Sequence, residues 1–178
     1  VWASFPVAGA ATPTPPFQAF HYAVDTSIQT NLQLEATATL TLQALRGGER
    51  VIPLELSRQL SVRSAEDETG RPLTFFQNEA VNRHEIGQRG NDVVFVVLPE
   101  AAQAGAQFRL RLTYRGSVIS DAGNGVYYVG ERGIWYPHPV GHESFAPFEL
   151  SFRWPRRLLL AATGIRIEEH DDGEWKTG

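Results

Sequence analysis

Cysteine and methionine are both absent from the sequence. The first absence excludes disulfides and thiolate metal sites, so stability must come from a packed core. The second removes any initiator residue, and the simplest reading is a segment excised from a longer protein. No apolar run approaches the ~18 residues of a membrane span. No charged start leads into an apolar core, as a secretory leader would have. Basic clusters are missing too: acids and bases are interspersed at a net charge of -4. That leaves no footprint for nucleic acid and no polybasic contact for a membrane surface, so neither is expected as a partner. Helical periodicity is almost absent. Only residues 100–106 have helical composition, and Gly105 limits them to a single turn. A fold of alternating strands and helices therefore has no raw material here.

What the sequence does have is a two-residue rhythm. Leu32, Leu34, Ala36, Ala38, Leu40, Leu42 and Ala44 are apolar, and the positions between them are Gln, Glu or Thr. The alternation returns in Phe108, Leu110, Leu112 and Tyr114, and again in Phe148, Leu150, Phe152 and Trp154. Period two is the mark of a strand with one face in the core and one in water. Val93 to Leu98 is continuously apolar, as expected of a strand covered on both faces. Shorter strands are expected at residues 17–28, 50–56, 59–64, 73–77, 158–162 and 165–168. Turn signals separate them, among them Arg46-Gly47-Gly48, Asn124-Gly125, Thr163-Gly164 and Asp172-Gly173. The expected fold is all-β, a sandwich of antiparallel and mixed sheets. A proline-rich linker, Thr12-Pro13-Thr14-Pro15-Pro16, places residues 1–16 ahead of one domain at 17–178.

Residues 117–146 break the rhythm, with Gly, Pro, His and aromatic residues crowded together, and are the expected functional loop. Within it, His138-Pro139-Val140-Gly141-His142-Glu143 sets two imidazoles close to a carboxylate. Pro139 and Gly141 prevent the helix on which i and i+4 ligands share a face, so His138 and His142 read as loop histidines rather than a metal site. His170-Asp171-Asp172 reads as a solvated turn. No G-x-S-x-G elbow is present for a serine nucleophile. The aromatic group Tyr127, Tyr128, Trp135 and Tyr136 can form a platform for a ligand, or fill a core or a seam. Phe148 and Trp154 are expected to do the latter.

Four stretches together resemble one family. Leu110-Arg111-Leu112-Thr113-Tyr114-Arg115-Gly116, Gly125-Val126-Tyr127, Trp135-Tyr136-Pro137 and 148–155, which ends in Trp154-Pro155, are similar in pattern and spacing to the N-terminal domain of zinc aminopeptidases of the gluzincin type, the family of alanyl aminopeptidases and leukotriene hydrolase. His21-Tyr22-Ala23-Val24-Asp25 is similar to that family's opening strand. The resemblance implies a saddle-shaped β domain that packs on a downstream catalytic domain, where zinc and the peptide substrate are bound. It implies no catalytic residue, no zinc ligand and no cofactor in this chain, which has no H-E-x-x-H. The family places a Gln or Glu about ten residues before the conserved proline to hold the substrate's amino group. Here that position falls on Val126, Tyr127 and Tyr128, and Glu131 is the nearest acid. His138-Pro139-Val140 stands where the family has an acid. These departures imply a divergent member. Tyr127, Tyr128, Glu131 and Trp135 are thus the candidates for lining a substrate cleft. The alternative is a free-standing β-sandwich module that binds peptide or carbohydrate through the same aromatics. A metal-dependent hydrolase using His138 and His142 is a third reading.

Overall fold

The computed structural model describes residues 15–79, 84–129, 134–141 and 145–178. Strands dominate: β1 (Phe17–Ile28), β2 (Leu34–Ala44), β3 (Glu49–Ser57), β4 (Leu60–Asp67) and β5 (Thr74–Glu79) precede one short helix, α1 (His84–Gln88). Then follow β6 (Asn91–Ala102), β7 (Gln107–Gly116), β8 (Ile119–Gly123), β9 (Val126–Val129), β10 (His138–Pro139), β11 (Phe148–Pro155), β12 (His170–Asp171) and β13 (Trp175–Thr177). Seven form a mixed sheet in the order β12-β13-β11-β1-β2-β7-β4, and four form a second in the order β10-β3-β6-β5. β8 and β9 make a separate hairpin.

The two large sheets share one core. Every inward residue of β2, from Leu34 to Ala44, is buried there, opposite Ile52, Leu54 and Leu56 of β3 and Val94 and Val96 of β6. A fully buried leucine is worth about 1.5–3 kcal/mol, so the rhythm of β2 alone fixes which face meets the second sheet. β6 is covered on both sides, as its unbroken apolar run foretells: Val93 and Phe95 pack with Ile86 of α1 and Val140 on the far face. β1 and β11 are parallel, with Val24 opposite Leu150, whereas β1 and β2 are antiparallel.

Close approach fixes Gly116 at the end of β7. A Cβ there would stand 1.9 Å from the backbone oxygen of Gln59, so only glycine fits. Asn124 and Gly125 both take positive φ, 55° and 77°, and close the β8–β9 hairpin as Asn-Gly turns do.

Three expectations are corrected. Residues 158–162 and 165–168 are not strands; the chain there has no ladder partner among the described residues. Residues 100–106 hold no helical turn, because β6 runs on to Ala102 and pairs it with Glu49 before turning at Gly105. Tertiary pairing outweighs the helix preference of two alanines. Trp154 is buried as expected; Phe148 stacks on Tyr22 and keeps 42% of its surface exposed, which leaves the seam reading open to it. Residues 1–14 of the expected linker lie outside the described residues. Its end, Pro16, offers its carbonyl to the amide of Leu45 at 2.8 Å.

Candidate functional site

Beyond the cover of the four-stranded sheet, the inner face of the seven-stranded sheet meets the β8–β9 hairpin and forms a groove of about 890 Å³. Ile28, Leu34, Leu150, Phe152 and Trp154 come from the sheet; Ile119 and residues 126–129 come from the hairpin. The irregular segment 157–163 lines the rest. Trp154 fastens that segment to the sheet, since its Nε1–H donates to the Leu158 carbonyl at 3.2 Å. Arg157 anchors the same end by donating to the Thr30 carbonyl at 3.0 Å. Leu32, which also lines the groove, is held at φ 63° by a tight turn in which its amide donates to Gln29 at 2.9 Å.

Three of the four cleft candidates, Tyr127, Tyr128 and Trp135, are brought together in this groove. Glu131, the fourth, lies outside the described residues, as does His142. Trp135 stands edge-on to Tyr136, centroids 5.5 Å apart, and tilts over Phe152 at 6.3 Å. Alternation along β9 turns successive tyrosines to opposite sides, yet both border the groove. Sequence reasoning missed Ile119, Arg157 and the apolar run after it as groove residues. A run of Leu158-Leu159-Leu160 signals burial, not which surface it will lie against.

A buried polar cluster holds the segment that carries Trp135. Asn91, with no exposed surface, donates through Nδ2 to Glu55 Oε2 at 3.0 Å and accepts the Ile134 amide on Oδ1 at 2.9 Å. Arg89 Nη2 reaches both oxygens of Glu55 at 2.9 Å. Ser57 donates its amide to the Ile134 carbonyl at 2.8 Å, so Ile134 is gripped on both sides.

Next to it sits an aromatic stack. Tyr22 lies flat against Phe148, centroids 4.6 Å apart, and Tyr136 meets both edge-on. Burial, and secondarily Tyr136, push the Tyr22 phenol well above its ordinary range. It therefore keeps its proton, and its hydroxyl shares a hydrogen bond with Nδ1 of His138 at 3.1 Å. That bond occupies one ring nitrogen of His138. Among the described residues no three His, Asp or Glu side chains converge as a metal site would require. A second hollow, about 630 Å³, lies on the polar side of the seven-stranded sheet among Asp25, Glu35, Arg63, Arg115 and Arg153.

No family model matches the sequence, and no curated protein matches it. Solved structures do. An M1 zinc metallopeptidase from Deinococcus radiodurans is similar over 91% of this chain at 22% identity, with a TM-score of 0.68. Yeast LTA4 hydrolase is similar over 91% at 15% identity, TM-score 0.61. Legionella pneumophila aminopeptidase A is similar over 94% at 11% identity, TM-score 0.71. The chain spans only 38%, 26% and 20% of those proteins. The all-β fold is thus the fold of a part of zinc aminopeptidases, and the resemblance in the motifs is borne out at the level of fold.

Proposed function

We propose that this chain is the N-terminal accessory domain of a zinc aminopeptidase-like protein, a divergent relative of the neighbours above. It packs on a downstream catalytic domain and lines one side of the substrate cleft. The observation that carries the reading is the match of nearly this whole chain to a minor share of each neighbour. Zinc and the reacting groups then belong to the catalytic domain, and peptide is met through that domain. In this reading residues 17–178 are one domain behind a linker, and Tyr127, Tyr128 and Trp135 face the cleft with Glu131 nearby. Exposed Val126, Phe145, Phe148 and Leu159 are apolar surface that a packed neighbour would cover.

The groove itself favours a second reading, a free-standing module that binds peptide or carbohydrate against Trp135 and the tyrosines. Titration of the chain with peptides and glycans, followed by tryptophan fluorescence, separates the two. An accessory domain gives no saturable response, whereas a binding module saturates. Metal analysis of the longer protein adds an independent measure: one zinc per chain is expected, and a metal-free protein sinks the peptidase reading.

A further inference from the structure

The edge of the seven-stranded sheet carries a register that continues past the last paired residues. β13 pairs with β11 on one side, Arg153 opposite Thr177, and with β12 on the other, His170 opposite Thr177. The ladder with β11 persists to Gly178. Its amide donates to the Phe152 carbonyl at 3.0 Å and its carbonyl accepts the Phe152 amide at 2.7 Å. On the other side the backbone of 168–169 lies alongside, where a Cβ on Gly178 would meet the Glu168 carbonyl oxygen at 2.8 Å and Glu169 Cα at 3.7 Å. Beyond this point two backbone edges run on without a ladder partner among the described residues: 148–151 of β11, on the side away from β1, and 165–168 ahead of β12.

The side chains along those edges match. Directly opposed residues of antiparallel strands share a face. In the register of β13, the second residue after Gly178 falls between Leu150 and Ile167, and the fourth between Phe148 and Ile165. The first and third fall between Ser151 and Glu168 and between Glu149 and Arg166. Ile165 and Ile167 are 93% and 95% exposed, and Phe148 is 42% exposed. In that register all fall on the face that carries buried Trp154. Isoleucines that alternate with Arg166 and Glu168 make a strand pattern that lacks only its neighbour.

We propose that the residues following Gly178 extend β13 into a strand between 148–151 and 165–168, with apolar side chains at the second and fourth positions and polar ones at the first and third. The occupant is the protein's own continuation, because β13 already delivers it in register on both sides. The proposal needs only a longer chain and no catalytic domain, so it can fail while the peptidase reading stands, and the reverse.

The test is made in the full-length protein, with any other cysteines replaced. Ile167→Cys is paired with a cysteine at the second position after Gly178, and separately with one at the first. Oxidation is expected to close an intramolecular disulfide in the former only, since the latter side chain points to the opposite face. Closure in both or neither, or a disulfide between two copies, overturns the proposal. Should the double variants fail to fold, hydrogen exchange in the unaltered protein decides. The amides of Arg166 and Glu168, the ones that face the added strand in this register, are expected to exchange at least about a hundredfold slower than in an unstructured peptide. Exchange at the peptide rate overturns it.

Discussion

Asn91→Ala removes the residue that joins the core to the segment bearing Trp135. Two hydrogen bonds disappear, one to the Ile134 amide and one to the Glu55 carboxylate. The first is worth ~1 kcal/mol and the second, being charge-assisted, about 1.5–3 kcal/mol. Arg89 still holds both oxygens of Glu55, which keeps the loss near roughly 3 kcal/mol rather than that of an abandoned buried charge. With a urea dependence of about 2 kcal/mol per molar, the unfolding midpoint is expected to fall by ~1.5 M. Gln43→Ala, which removes an exposed bond to the Gly105 carbonyl, serves as control and is expected to move the midpoint by less than ~0.3 M. Urea unfolding followed by circular dichroism and by tryptophan fluorescence measures both. A midpoint for Asn91→Ala that matches the control refutes the assignment of the Glu55–Asn91–Ile134 cluster as a structural clamp.

Gly116→Ala forces a methyl against the Gln59 backbone and is expected to cost about 1–3 kcal/mol, read as a lower melting temperature; an unchanged one refutes the close approach. Thr26→Val removes a buried hydroxyl that has no partner among the described residues. It should leave stability equal or raise it by up to ~1 kcal/mol, and a loss in urea unfolding would reveal a hydrogen bond. Burial raises the phenols of Tyr22, Tyr114 and Tyr136 above the ordinary value of 10.0. The unfolded chain then releases these protons first, so their contribution is complete below pH 10 and is lost as pH rises toward the raised folded values. Alkaline titration at 295 nm is expected to show the buried tyrosines ionising only as the fold is lost; ionisation near pH 10 in the folded protein contradicts this.

Most of the strands were legible because burial on one face writes itself into the sequence as alternation. β2, β7 and β11 display it, and the far face of β6 follows from its unbroken apolar run. Residues 158–162, an unbroken apolar run, and 165–168, an alternation, carry the same kinds of signal and yet form no ladder, since such patterns report a face and not a neighbour. α1 was invisible: His84–Gln88 is too short to show a helical period, and Ile86 alone faces β6. The aromatic part of the site could be read from its crowding between Gly and Pro. The clamp beneath it could not, because Glu55 is 34 and 36 positions from Arg89 and Asn91 and meets them only through the pairing of β3 with β6.

The measurement closest to the main claim is peptidase kcat/KM of the full-length protein with Tyr127→Ala and Trp135→Ala. If these rings line a cleft completed by a catalytic domain, kcat/KM falls about tenfold or more through KM, near 1.4 kcal/mol, with zinc content unchanged. Wild-type kcat/KM in both variants would contradict the claim.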